Sequence, residues 1–338
     1  ELPLLVVEPD SAEQVAALVK LANDMKFALI PRGGGSGMTG GAVPARKRTV
    51  IVSLTRLTKI GPIDLENMTV TVEAGAITQN VIKAVDAAGA LFSVDPASKQ
   101  ASSIGGNVSE NAGGPSAFEY GTTLDNLLWW RMVTPTGEII SVERENHPRH
   151  KILPEETAVF VVKDISGGVR NVIHLRGDEI RLPGLGKDVT NKALGGLPGM
   201  QKEGVDGIIT EACFIIHPKP KFKRVMVLEF FGRSMHPAAV VVRELVGLRN
   251  RIRQEGDYAH LSALEASISC SIWHLLSLLH LPVHLHLLHI GLRCLIHKSS
   301  GCSHAHSHAH KAHHCAVFIC SSGFHSLCLC ADERRRPH

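Results

Sequence analysis

The 338 residues carry 36 Lys and Arg against 32 Asp and Glu, a net charge of +4 at pH 7. That balance, with no basic stripe interleaved by aromatics, excludes a protein built around nucleic-acid phosphates, and the length leaves room for two domains. The start, Glu1-Leu2-Pro3-Leu4-Leu5, shows no charged leader or cleavage site, so no secretory signal and a cytoplasmic location are expected; the missing initiator Met fits an internal fragment.

Ser11-Ala12-Glu13-Gln14 is a capping box, and Val15, Leu18, Ala22 and Met25 follow at helical spacing, which predicts a helix over 11–25. The apolar run Phe27 to Ile30 predicts a strand. It leads into Pro31-Arg32-Gly33-Gly34-Gly35-Ser36-Gly37-Met38-Thr39-Gly40-Gly41, where six of eleven residues are glycine. Consecutive N–H groups without Cβ atoms can turn toward an anion, and Arg32 adds positive charge, so this stretch reads as a diphosphate cradle. Gly35-x-Gly37-x-x-Gly40 has the spacing of a Rossmann fingerprint, but that fingerprint needs a helix directly afterwards and an acid about 20 residues on. Here the next element is a predicted strand over 49–54, and the first acids are Asp64 and Glu66, so the Rossmann context fails.

Met68, Val70 and Val72 alternate with Thr69, Thr71 and Glu73, the period of a half-buried strand. Ile77, Val81, Ile82 and Val85 mark a second helix, with Gly89 as its C′ residue. From Asp95 to Gly121 runs a second glycine-rich stretch, expected to have little regular structure and to wrap an extended ligand with backbone contacts. Leu127–Thr134 and Glu138–Val142 flank Pro135-Thr136-Gly137 and read as a hairpin. Trp129 and Trp130 face opposite ways on its first strand, so at most one could stack on a ligand; packing in the sheet is the favoured role.

Taken in order, Pro31 to Gly41, Val72-Glu73-Ala74-Gly75, Asp95-Pro96-Ala97-Ser98, Ile104-Gly105-Gly106-Asn107 with Asn111-Ala112-Gly113-Gly114, Tyr120-Gly121-Thr122-Thr123 and Pro135-Thr136-Gly137-Glu138 carry a family likeness. The chain resembles the FAD-linked oxidases of the vanillyl-alcohol oxidase and p-cresol methylhydroxylase (PCMH) type, within them the glycolate oxidase and D-lactate dehydrogenase branch. The resemblance implies an α+β fold: a PCMH-type FAD-binding domain of two small α/β subdomains over 1–217, then a truncated α+β cap, the substrate domain, over 221–265. It implies that Arg32, Gly33, Gly34, Gly35, Ser36, Gly37 and Gly40 hold the FAD diphosphate, with Met38 beside them among the cofactor-binding residues. Pro96, Ser98, Ser103, Gly105, Gly106, Asn107, Gly113 and Gly114 would line the cofactor further along, and Gly204, Ile208 and Ile209 would close over it. Covalent members often have His where this chain has Ser36; a hydroxyl cannot form that histidyl bond, so non-covalent FAD is expected.

Residues 143–200 depart from the common pattern. Lys187 to Lys192 and Gly195 to Gly204 look like the enlarged subfamily in which the module is fused to an iron–sulfur domain, which implies an electron-transfer dehydrogenase with an iron–sulfur acceptor domain or subunit. The activity implied is oxidation of a small 2-hydroxy acid of D-lactate or glycolate type by hydride transfer to flavin, with no catalytic residue assigned. An FAD- or nucleotide-binding module without turnover, as in relatives of the cell-wall reductase, stays open because the cap is incomplete.

Arg224 to Phe231 reads as a strand, Ala238 to Arg251 as a helix, and Leu261 to Glu265 as the start of another strand. Beyond Glu265 lie seven of the eight cysteines, fourteen of the twenty histidines and two of the thirty-two acids. Three readings compete for 266–338. Alternating histidines from His304 to His310 fit a metal-binding tail, but no C-x-x-C pair accompanies them. A membrane helix over 268–296 is interrupted by five histidines, Pro282 and Arg293. A shifted reading frame, giving an aberrant or disordered tail, accounts best for the abrupt change in mid-domain. Among other residues, His147 and His150 read as solvated, His217 as a strand end and Cys213 as an inert buried thiol.

Overall fold

The computed structural model describes residues 2–181, 191, 193–220, 224–231, 236–255, 260–269 and 314–322. A short strand, β1 (Leu5–Val7), precedes α1 (Ala12–Met25). Ser11 caps α1 by accepting the Gln14 N–H at 3.2 Å, while the Gln14 side chain accepts the N–H of Asp10, not that of Ser11. Lys26, left-handed at φ 56°, ends the helix. β2 (Ala28–Arg32) extends two residues further than the apolar run predicts, carrying Pro31 and Arg32 into the strand. β3 (Thr49–Ser53) lies between β1 and β2 in a parallel three-stranded sheet and is buried at all five positions, the condition under which a strand reads as an unbroken apolar run. The glycine loop therefore leaves the carboxyl end of a parallel strand, where open α/β sheets bind ligands.

β4 (Ile60–Asp64) was not legible in the sequence; its partner β5 (Thr69–Glu73) shows the predicted alternation, with Val70 and Val72 buried. α2 (Thr78–Ala87) follows, and Gly89, at φ 85°, turns the chain into β6 (Ala90–Leu91). The expectation of little regular structure over 95–121 is corrected: α3 (Ile104–Glu110) and α4 (Ala117–Tyr120) lie inside it, and α5 (Thr123–Asn126) follows. Helix propensity argues against a first turn containing Gly105 and Gly106. Long-range bonds override it: the Ile104 and Gly105 N–H groups donate to Ala76 O and Ala74 O at 3.0 and 2.7 Å, and Ser103 caps the Gly106 N–H at 3.3 Å.

The predicted hairpin is β7 (Leu127–Val133) and β8 (Ile139–Arg144). After it come β9 (Thr157–Asp164), β10 (Val169–Arg176), α6 (Gly177–Ile180), a 3-10 turn at Leu194–Gly196, β11 (Ile208–Ile215) and β12 (His217–Pro218). Seven strands form an antiparallel sheet in the order β10-β9-β8-β7-β11-β5-β4, so β11 stitches the late chain between two early strands. Trp130 is fully buried, 6.0 Å from the Phe160 ring, and its Nε1 donates to Pro198 O at 3.0 Å; Trp129 is half-buried under the Arg131 guanidinium. Packing in the sheet accounts for both, as expected.

β13 (Arg224–Phe231), α7 (His236–Glu255), β14 (His260–Ser269) and β15 (His314–Ser322) follow, with the three strands in the order β13-β15-β14. All three predicted cap elements are present, each reaching its predicted bounds or beyond. β14 continues past Glu265, and β15 lies within the compositionally distinct tail. The His304–His310 run, and the proposed membrane stretch beyond Ser269, fall outside the described residues. No helix among the described residues is long and apolar enough to cross a membrane, and no group of three or more His, Cys, Asp or Glu among them could hold a metal ion.

Candidate functional site

Where the glycine loop, α3 with the turn before it, and the turn before β11 converge, a cleft of about 220 Å³ opens. Twelve of the sequence-predicted residues line it: Gly33, Gly34, Gly35, Ser36, Gly37, Ser98, Ser103, Gly105, Gly106, Asn107, Gly204 and Ile209. Sterics explain the glycines. A Cβ on Gly34 would sit 1.7 Å from Ala101 O, one on Gly33 2.0 Å from Ser103 Oγ, and one on Gly105 2.8 Å from the Ala74 Cβ. Two loops and a strand end thus approach at backbone distance. The N–H groups of Gly34, Gly35, Ser36 and Gly37 make no hydrogen bond within the protein among the described residues. They remain available to an anion.

The other predicted residues sit around the cleft without lining it. Arg32 donates from Nη1 to Ala42 O at 3.0 Å and lies against Gly35, pinning the loop. Met38 is fully exposed, and Gly40, at φ 90°, has open space beside it. Pro96 is buried, Gly113 packs near Ala117 and Thr122, and a Cβ on Gly114 would meet Asp95 O at 2.2 Å. Ile208 lines a neighbouring cavity with Val19, Phe27 and Leu29, and Pro31, Gly204 and Gly207 border both cavities. The α3 terminus offers the cleft little: its first N–H groups are spent on Ala74, Ala76 and Ser103, and the Asn107 side chain donates to Thr78 Oγ1 at 2.8 Å. Ser102, Ser109, Glu110, Ala112 and Glu203 line the cleft but were not among the residues predicted to bind the cofactor. Glu203 and Gln201, left-handed at φ 56° and 55°, bring their turn onto α3 through N–H bonds to Ser109 O and Val108 O at 2.9 and 3.1 Å.

Away from the cleft, α5 is anchored by a buried charge. Asp125, fully buried, accepts the N–H groups of Thr122 and Ile152 at 2.7 and 2.8 Å and pairs with the Arg181 guanidinium. His147 is correspondingly not solvated, which corrects the sequence reading. Its Nδ1 accepts the Arg149 N–H at 2.9 Å, so Nε2 carries the hydrogen and donates to Asp125 O at 2.8 Å. Burial, then the neighbouring Arg144 charge, lowers its pKa from 6.5 to about 3. His217 ends its strand as expected, buried, with Nε2 2.9 Å from Asn126 Oδ1; burial lowers its pKa from 6.5 to about 4. Cys213 is buried and its thiol pKa is raised by burial, as an inert thiol requires.

Both histidines bind protons less readily folded than unfolded. Their neutral forms cost nothing above pH 6.5. Below it the unfolded chain takes up protons that the folded chain refuses, so stability falls with pH, by up to about 1.4 kcal/mol per unit per histidine, until the folded pKa is reached. Urea midpoints should be flat from about pH 8 to 7 and decline below about 6.5; the His147→Gln, His217→Gln double variant should lose that part of the slope. A wild-type midpoint unchanged at pH 5 would contradict this.

Residues 3–143 match the protein family described as "FAD binding domain". This part of the chain is an FAD-binding domain of the PCMH type. Glycolate oxidase subunit GlcD of Bacillus subtilis is 27% identical over 248 residues, covering 73% of this chain and 44% of that protein. D-Lactate dehydrogenase of Anaerostipes hadrus is 40% identical over 140 residues, 41% of this chain and 29% of that protein. D-2-Hydroxyglutarate dehydrogenase of Xanthomonas citri pv. viticola is 38% identical over 140 residues, again 41% and 29%. The chain therefore spans less than half the length of these relatives. Among solved structures, alkyldihydroxyacetonephosphate synthase is similar in fold, with a TM-score of 0.55 at 21% identity over 94% of this chain and 48% of that one.

The cofactor of such a domain is FAD, and the cleft fits it. Four uncommitted loop N–H groups suit a diphosphate, any Cβ on Gly33 or Gly34 would collide with the opposite wall, and Leu54 and Ile209 supply apolar surface.

Proposed function

We propose that this chain is the FAD-binding part of a dehydrogenase that oxidises a small 2-hydroxy acid of D-lactate or glycolate type and passes the electrons to an iron–sulfur domain or subunit. The observation that carries this is the cleft at the end of β2, walled by Gly33–Gly37 and Ser98–Gly106. FAD bound there supplies a two-electron acceptor for the carbon–hydrogen bond beside the substrate hydroxyl. The chain's own residues bind and orient: Gly34–Gly37 present donors to the diphosphate, Arg32 holds the loop and contributes positive charge, and the Gln201–Gly204 turn closes one side. In this reading 1–217 is the FAD-binding domain and 221–265 begins the substrate domain, which in the whole protein supplies the proton acceptor and a cation for the substrate carboxylate. The relatives named above, two of them dehydrogenases of D-2-hydroxy acids, support the substrate class.

A second reading, FAD binding without turnover by this chain alone, is favoured by its length, 44% of the glycolate oxidase subunit's at the match. One experiment separates them. The purified chain should show flavin absorption that acid precipitation releases into the supernatant, because Ser36 offers no imidazole for a covalent link. Anaerobic D-lactate or glycolate should then bleach it. Flavin retained in the pellet would refute non-covalent binding, and released flavin that no 2-hydroxy acid bleaches would leave the chain a binder only.

A further inference from the structure

Charge is sorted along the glycine loop. At its inner half, a Cβ on Gly35 would lie 2.3 Å from Arg32 Nη2, so the guanidinium rests against that glycine, held there by Ala42 O. At its outer half, a Cβ on Gly37 would lie 3.0 Å from Glu110 Oε1, and one on Gly41 3.5 Å from Glu203 Oε2. Thr39 Oγ1 donates to Glu110 Oε1 at 3.2 Å. Backbone pairing brings the two acids together: Glu110 ends α3, and the Glu203 N–H donates to the carbonyl of Ser109 beside it at 2.9 Å. Both acids are among the residues lining the cleft, as are Gly34–Gly37 with their uncommitted N–H donors.

A carboxylate accepts hydrogen bonds from hydroxyls and repels phosphate; a guanidinium and bare N–H groups do the reverse. We propose that Glu110 and Glu203 set the direction in which the dinucleotide lies, with the diphosphate against Gly33–Ser36 beside Arg32 and the hydroxyls of a ribose or ribityl chain between the two acids. The proposal rests on the FAD reading of the cleft and adds to it two specificity-determining residues outside the glycine motif. It also accounts for two acids beside a cradle meant for an anion: they reject a ligand that carries phosphate along its whole length.

The test compares two ligands, FAD and inorganic tripolyphosphate, on the wild type and on Glu110→Gln, Glu203→Gln and the double variant, by calorimetry, with thermal midpoints as a check on folding. Gln keeps the shape, and its carbonyl can still accept from Thr39. FAD affinity should fall about three- to ten-fold per substitution as charge-assisted bonds are lost, while tripolyphosphate affinity rises by a similar factor as repulsion is removed. Opposite signs are the signature. If both affinities rise, the acids only repel; if both fall, they only latch the loop; if neither changes, they do not face the ligand. Each of these overturns the proposal. A wild-type chain that binds neither ligand would remove the FAD reading itself, and the proposal with it.

Discussion

Asp125→Ala is expected to cost at least about 4 kcal/mol, enough to leave little folded protein at physiological temperature given total stabilities of about 5–15 kcal/mol. The residue lies far from any glycine motif and would attract no attention as a functional position. Yet its carboxylate is fully buried and takes the N–H groups of Thr122 and Ile152, the Thr122 hydroxyl and the Arg181 guanidinium, tying α5, the chain after β8 and the end of α6 together. Removal takes the Asp125 carboxylate from Arg181, a cation only 7% exposed, near Arg144, whose Nε makes no hydrogen bond among the described residues. Breaking one side of a buried pair costs about 3–5 kcal/mol, and each stranded N–H about 1–3 more before relaxation and water entry reduce the sum. Urea unfolding monitored by tryptophan fluorescence reads the loss. A shift below about 1 kcal/mol would mean that the carboxylate is not the organising group. Arg181→Met in the Asp125→Ala background should recover part of the loss, because the buried cation that Asp125 faced is then gone.

Gly34→Ala should abolish measurable FAD binding at micromolar concentrations, a loss of at least about 100-fold or about 2.8 kcal/mol. Gly34 is an exposed loop residue whose φ lies outside the left-handed region, so neither exposure nor backbone strain marks it. The obstacle is the opposite wall: the added methyl would sit 1.7 Å from Ala101 O and 2.7 Å from Ala101 C, backbone atoms that cannot swing aside. Loop and wall must part, and the donors of Gly34–Gly37 move with the loop. Gly168→Ala is the control. It lies in the exposed turn between β9 and β10, outside the cleft, and its added methyl would meet only the end of the Asp164 side chain, which can swing into solvent. FAD titration should separate the two variants widely; similar affinities would show that the glycine loop and the Ala101 wall do not form one site.

The glycine loop, the hairpin and the strands around them were legible because their signals are local. A strand buried on both faces has to be an unbroken apolar run, as β3 is, and a half-buried one has to alternate, as β5 does. Six glycines in eleven residues, at the end of such a strand, carry their own conformational meaning. Legible too was the cofactor class, since Gly33–Gly37 and Ser98–Asn107 fall on two walls of one cleft.

What tertiary structure alone decided lies wherever a residue's partner is distant in sequence. Local propensity speaks against a helix through Gly105 and Gly106; α3 exists because Ala74 and Ala76, some thirty residues away, take its first N–H groups. His147 looks like a polar loop residue until Arg149, Asp125 and Arg144 close around it. Nothing in the sequence pairs Glu110 with Glu203, and they share a cleft only because the Gln201–Glu203 turn docks on the end of α3. Sequence reveals backbone conformation where one residue type permits it; long-range hydrogen bonds and sterics determine which side chains meet.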